Sequence, residues 1–585
     1  MPEFDYNLIR AMQPELLLIV VSCVLFLLGV SSRAAARRLA PVLAMAALLF
    51  VFGWQVMTPD MDATLADRSG TFRVFDFAQY IKMLAAGVGV LFVLLAWPTN
   101  KEATGNSALD FGHDAGEFFA LMLLSIAGVM LVAGANDMIM LFLGLELASI
   151  PTYIMVSISR PLPVAQEAGV KYFFLGALAA AIMLFGFSYL YGTTGTTSLH
   201  QITQTLGAID VRPGAGNQPV LSSWQQLAVT MLVAGFAFKI AAVPMHFYAG
   251  DVYQGAATPV TAFLSFVPKT AGFVALIKIV TVASGGQWAA PEFLQKLLWI
   301  LAVLTMTAGN LLGLLQFNVK RVFAYSSIAH SGYMLVGLAA MSTAGAGTGV
   351  RHEALQGVLF YLAGYGIMNA GAFGVLMLLP ARNANALGLG PGSAKRATLP
   401  ATSAETFEDL AGTGRRHVAL GLAMAVCCFS LIGLPLTVGF FGKLFLIRPA
   451  LDAAQDPAIK SRMIWLVVIT MINAAISAAY YLRIVGTMFL RSEPMDVEAE
   501  ETAPAATESA LVPQPAMPFP IVLAIGLSVF GTILFGTLPP ATQVLNVRAN
   551  VASSMDVPGS PANVDPDPVD PDAAATQPAA SADAP

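Results

Sequence analysis

Apolar runs of about twenty residues recur along almost the whole chain, and that repetition restricts the fold more than any single motif. They lie near 14–31, 39–57, 77–97, 117–134, 137–158, 169–191 and 223–246. They continue near 256–283, 294–316, 318–341, 352–379, 417–447, 462–490 and 518–538. Each can cross a bilayer as a helix, which predicts an all-α polytopic membrane protein of about fourteen transmembrane helices. Only 11% of the residues are charged, against about 25% in a soluble domain, so a soluble enzyme with one anchor is excluded. The net charge of −5 says little, because much of it sits in the C-terminal tail. Cys23, Cys427 and Cys428 show neither metal-ligand spacing nor a disulfide framework. Glu3 and Asp5 precede the first span without a cleavage site, so no removable signal peptide is expected.

Arg33, Arg37 and Arg38 fill the first short loop, and Lys320-Arg321, Lys395-Arg396 and Arg415-Arg416 fall on the same side. The excess of basic residues there marks the cytoplasmic face and predicts that both termini are periplasmic. Arg448, Lys460 and Arg462 fall on the other side, against the trend. Three stretches are too polar to span. Residues 381–416 read as a cytoplasmic loop, 491–517 as an acidic, proline-rich linker, and 551–585 as a disordered tail of Pro, Ala and Asp.

Residues 231–272 put Lys239 and Lys269 in successive apolar segments, each with a proline close by, Pro244 and Pro268. A lysine deep in a span is costly and normally marks an ion or proton route. A proline there kinks or breaks the helix, which is tolerated where the break lines a cavity. The segment LIGLPLTVGFFGKLFL repeats the combination with Pro435 and Lys443 in the opposite order, as two inverted halves of a transporter would. Glu146 lies about ten residues into its own span. It reads either as a carboxylate tying two helices together or as one that controls the protonation of a nearby lysine. Desolvation favours a neutral lysine and a nearby carboxylate favours the charged form, so moving one relative to the other switches the lysine between holding and releasing a proton. Lys269 and Lys443 fit as further stations, whereas Lys82 and Lys278 read as snorkelling to the interface. His246 and His330 suit proton transfer or are hydrogen-bonded core residues. Lys171 is interfacial or a lateral proton station, and Asn310, Tyr325, Ser326 and Ser327 suit holding water between stations. No phosphate loop, metal cluster or nucleophile arrangement is evident.

The strings LGLELASIPTYIM, EAGVKYFFLGALAAAIMLFGFSYLYGTTG, FKIAAVPMHFYAGDVYQGAATPVTAFLSFVPKTAGF, NVKRVFAYSSIAHSGYM and GLPLTVGFFGKLFL carry a family resemblance. The chain resembles the antiporter-like membrane subunits of respiratory complex I over about residues 10–540, most closely the subunit N branch. That resemblance implies two inverted repeats, helices 4–8 and 9–13, with helices 7 and 12 broken. The domains would then be 1–116 (helices 1–3), 117–283 and 294–490 (the two repeats), and 518–540 (the last helix). The resemblance also implies roles: Glu146 paired with Lys239, Lys269 as the central relay, Lys443 toward the outlet, and Lys171 and His330 on the same hydrophilic axis.

The expected function is proton translocation as a membrane-arm subunit of a bacterial NADH:quinone oxidoreductase in the inner membrane. The chain would hold no redox cofactor; NADH, FMN, iron–sulfur clusters and quinone would lie on partner subunits. Its expected partners are the other membrane subunits and lipid, with no nucleic acid. The alternative is a subunit of a multisubunit Mrp-type cation/proton antiporter. A purely structural scaffold and a membrane-hydrogenase subunit are further readings.

Overall fold

The computed structural model describes residues 9, 11–31, 34–57, 71–72, 76–97, 115–160, 162–207, 221–284, 290–343, 348–379, 404–452, 456–491 and 517–537. The tail at 551–585, almost all of the acidic linker and most of the 381–416 loop lie outside the described residues. Among the described residues every regular element is helical, and β pairing is confined to isolated bridges. The helices are α1 (Gln13–Gly29), α2 (Ala34–Met57), α3 (Asp76–Leu95), α4 (Ala115–Gly134), α5 (Met138–Ile158), α6 (Pro163–Thr194) and α7 (Leu199–Gly207). Then come α8 (Ser223–Lys239), α9 (Tyr248–Gly255), α10 (Thr258–Ala283), α11 (Glu292–Leu314), α12 (Val319–Met341) and α13 (Thr348–Leu378). The last are α14 (Phe407–Leu410), α15 (Thr413–Arg416), α16 (Val418–Ile432), α17 (Val438–Asp452), α18 (Pro457–Leu490) and α19 (Phe519–Thr537). Eleven of them are each long and apolar enough to cross a membrane, and α1 is a shorter apolar helix.

The expected spans at 223–246 and 417–447 are not single helices. Helix α8 opens on a Ser222/Gln225 capping box and stops at Lys239, and the chain turns before α9. Helix α16 closes on Gly433 at φ 92°, a conformation glycine adopts without strain, and the helix resumes as α17. Pro244 and Pro435 fall in these gaps, where a missing N–H costs no helical hydrogen bond. Pro268 behaves otherwise. It lies inside an uninterrupted α10, every residue of which is buried, and close packing on all sides holds the helix together.

Helices α10, α12 and α13 form the buried centre of the bundle. Helices α2, α6 and α18 keep outward apolar faces, among them Phe50, Phe174, Phe185 and Trp465, that suit contact with lipid. Two backbone stitches tie helix starts to distant segments. Asp137 bridges Ser198 while Met138 N donates to Thr197 O (2.9 Å), and Asn318 bridges Thr406 while Val319 N donates to Glu405 O (2.7 Å). Asp137 and Asn318 are also the N-caps of α5 and α12, accepting from Ile139 N and Arg321 N. The end of the 381–416 loop is therefore not a simple polar excursion. Ala404, Glu405, Asp409 and Leu410 are buried where it packs against the bundle.

Candidate functional site

The site begins where α8 ends. Lys239, 3% exposed, reaches α5, where its Nζ stands 2.9 Å from Glu146 Oε1 and 2.7 Å from Ser149 Oγ. Glu146 and Ser149 are three residues apart and so share one helical face. The Glu146 side chain is 17% exposed, so the pair joins a sealed cation to a less sealed anion. Just beyond Lys239, Ala241 has φ 54°, a left-handed backbone that costs an L-residue about 1–2 kcal/mol. Leu436, in the gap between α16 and α17, has φ 69°. Both breaks thus hold strain of a kind that persists at functional positions.

Lys269 projects from the middle of α10, and its Nζ donates to Ser331 Oγ (3.0 Å) and to the Ser327 carbonyl. Among the described residues it has no ion pair. Lys239 and Lys269 line a common void of about 10 Å³ together with Tyr172, Tyr248, Tyr253 and Ser327. That volume holds about one water molecule. The Ser327 hydroxyl is within hydrogen-bond reach of Tyr253 Oη (3.1 Å) and accepts from Tyr365 Oη (2.8 Å).

Beyond Lys269, His330 is enclosed by phenols. Its Nδ1 lies 2.5 Å from Tyr361 Oη and its Nε2 3.0 Å from Tyr481 Oη, which also contacts Ser326 Oγ. Lys443, on α17, donates to the last carbonyls of α16, Leu431 O (3.0 Å) and Ile432 O (2.6 Å). Its Nζ also sits 4.8 Å from the centroid of the Tyr333 ring, a cation–π distance. Tyr333 Oη accepts from Asn310, and Asn310 joins Asn473 and Tyr480. Glu146, Lys239, Lys269, His330 and Lys443 thus fall along one band of buried polar groups.

Two expected members are elsewhere. Lys171 is 46% exposed on α6 and pairs with Glu167 (2.8 Å) and with Asp251 (3.1 Å), which also binds Arg321 (2.6 Å). His246 lies in the break, buried against Phe247, and its Nδ1 has no hydrogen-bond partner.

Lys82 and Lys278 do not snorkel. Lys82 is 1% exposed, 2.7 Å from Glu15 Oε1 and 4.9 Å from the Phe72 ring centroid. Lys278 is fully buried and donates to Ala135 O at 2.5 Å. Partners supplied by remote segments remove the reason to reach for the interface. Lys320 is not a free loop charge either; it and Arg160 meet Glu405 in the protein interior (3.1 and 2.6 Å). Burial opposes charge on Glu405, but Lys320 and Arg160 outweigh it and hold the carboxyl below the usual carboxylate range.

The family described as NADH:quinone oxidoreductase/Mrp antiporter, TM, matches residues 135–477. NADH-quinone oxidoreductase subunit N of Trichlorobacter lovleyi is 34% identical over 91% of this chain and 94% of its own length. The subunit N of Myxococcus xanthus is 38% identical over 68% of this chain and 74% of its own. Among solved structures, a chain of respiratory complex I from Thermus thermophilus superimposes with a TM-score of 0.66 at 27% identity, covering 92% of this chain and 99% of that one. A chain of the Mrp complex from Dietzia shares the fold, with a TM-score of 0.69 at 19% identity over 93% of this chain and 97% of that one. With buried lysines at broken helices and this degree of likeness over nearly its full length, the chain belongs to the NADH-quinone oxidoreductase subunit N family.

Proposed function

We propose that this protein is a proton-translocating membrane-arm subunit of a bacterial NADH:quinone oxidoreductase. Protons pass along Glu146, Lys239, Lys269, His330 and Lys443. NADH, FMN, iron–sulfur clusters and quinone belong to partner subunits, and the chain sits among the other membrane subunits in the inner membrane with both termini periplasmic.

The observation that carries this reading is the contrast between the two lysines at the void. Lys239 has Glu146 at 2.9 Å, whereas Lys269 has only uncharged acceptors among the described residues. Drawing Glu146 away from Lys239 removes the charge that holds its proton, and Lys269 is the next basic group. Redox work on partner subunits enters as that movement.

Fourteen spans follow if α8 with α9, and α16 with α17, each count as one broken helix. The inverted repeats are supported by three correspondences. Lys239 precedes its break and Lys443 follows its own; each break holds a left-handed L-residue; and the stitch at Asp137/Ser198 has its counterpart at Asn318/Thr406. Glu146 on α5, Lys239 on α8 and Lys269 on α10 fall in the first repeat, and His330 on α12 and Lys443 on α17 in the second. The Mrp-type reading has the fold in its favour, but relatives identical at 33% or more over most of the chain carry the subunit N name.

Lys239→Ala in the native membrane tests the proposal. Assembly is checked first, then NADH:quinone activity, then proton pumping in vesicles. Sharply reduced activity or pumping in an assembled complex is expected. Normal rates and normal pumping would leave Lys239 a structural residue.

A further inference from the structure

Outside the proton path, Arg160, Lys320 and Glu405, exposed by 5%, 0% and 3%, form a buried charged cluster among the described residues. The three come from separate parts of the chain: the turn after α5, the start of α12, and the segment before α14. One carboxylate oxygen, Glu405 Oε1, faces both cations, Arg160 at 2.6 Å and Lys320 at 3.1 Å. Lys320 Nζ also donates to Ala256 O (2.7 Å), in the two-residue link between α9 and α10. Next to it, Ala257 N donates to Ser159 Oγ (3.1 Å), beside Arg160. The Glu405 backbone is held as well, its carbonyl accepting from Val319 N (2.7 Å) and its N–H donating to Asp409 Oδ2 (3.0 Å).

Stability alone does not account for such a cluster. Taking three charges out of water costs several kcal/mol each, and packed apolar side chains often do as well or better. Its geometry has a different consequence. The elements meeting at Glu405 are the end of α5, the entry to α10 and the first turn of α12, which carry Glu146, Lys269 and His330. We infer that Glu405 is a positioning residue for proton transfer, the point through which residues 404–416 set the alignment of the helices bearing Glu146, Lys269 and His330. A shift of residues 404–416 then reaches the proton path through one carboxylate. Losing that carboxylate leaves Arg160 and Lys320 facing each other without an anion, so the helix ends separate and the donor–acceptor distances between α5, α10 and α12 lengthen. Proton transfer is steep in such distances: a misplacement of about 1 Å can cost on the order of a hundredfold in rate.

This inference rests on the proposed proton path, and the experiment separates the two. Glu405→Gln, Glu405→Asp and Lys239→Ala are made in the complete complex in native membranes. Assembly, NADH:quinone electron transfer and protons moved per electron are measured for each. Expected for Glu405→Gln is an assembled complex that still transfers electrons while protons per electron fall, with Glu405→Asp intermediate. A wild-type ratio in assembled Glu405→Gln, with Lys239→Ala impaired, overturns the positioning role and leaves the path intact. If Lys239→Ala also pumps normally, the path itself falls. Should Glu405→Gln fail to assemble, Glu405→Asp decides, because it keeps the charge and withdraws the carboxylate by one methylene; a wild-type ratio there reduces Glu405 to an assembly residue.

Discussion

Lys239 and Lys269 line one small void, yet of the two only Lys239 has a carboxylate at its ammonium among the described residues. Lys239 thus faces an anion, whereas Lys269 rests on a serine hydroxyl and a backbone carbonyl.

Glu146→Gln keeps the shape of the side chain and removes its charge. Removing one partner of a buried ion pair costs about 3–5 kcal/mol when the other charge stays behind, so coupled NADH:quinone activity should fall several-fold in an assembled complex. Glu146→Gln combined with Lys239→Met should lose little more than either alone, because both act through one contact. Losses that multiply would show that the two residues work separately.

His330 has a phenol hydroxyl at each ring nitrogen. Tyr481→Phe removes the partner of Nε2 and, with it, the contact to Ser326. Proton transport in vesicles should decline by several-fold, while Tyr480→Phe, one step along the same helix and bonded instead to Asn310, should change it less. Equal effects from the two would assign both tyrosines to packing.

Gly439→Ala should disturb the break between α16 and α17. A Cβ there would collide with Ser430 O, and Gly439 N already donates to Ser430 Oγ (3.1 Å). Relief requires α17 to shift, lifting Lys443 from the Leu431 and Ile432 carbonyls. Overpacking of this kind typically costs about 1–3 kcal/mol. A lowered thermal midpoint of the purified complex is expected, together with reduced pumping; an unchanged midpoint would mean that the break accommodates a methyl.

The Glu405 carboxyl contributes a pH dependence of its own. Its carboxyl is held below the ordinary value, about 4.3 for glutamate, so its stabilisation is complete above that value and is lost as pH falls through the folded-state value. The part of the thermal-midpoint difference between the native complex and Glu405→Gln that comes from this carboxylate should therefore shrink as the pH falls into acid. A difference that closed near neutrality would mean that another group titrates in its place.

Much of this architecture can be read from the chain because charge is expensive in an apolar run. Glu146, Lys239, Lys269 and Lys443 stand out on that ground alone, and Pro244 and Pro435 mark the two breaks. Pro268 misleads for want of a packing environment: sequence shows the missing N–H and not the neighbours that compensate. Lys82 and Lys278 mislead in a similar way, since Glu15 and the Ala135 carbonyl approach them from 67 and 143 positions away in the chain and nothing local announces them. Glu405 is harder still. It lies in a polar stretch where an acidic residue is ordinary, and only its two cations, from opposite halves, make it unusual. Tyr361 and Tyr481 look like common aromatic filling until the imidazole between them is seen.

The size of the void between Lys239 and Lys269 bears on what can cross. A sodium ion travels with a shell of several waters, and a space of about 10 Å³ admits one. On the proposed path a proton could cross such a space along hydrogen bonds to a single water, whereas a hydrated alkali cation would first have to shed its shell.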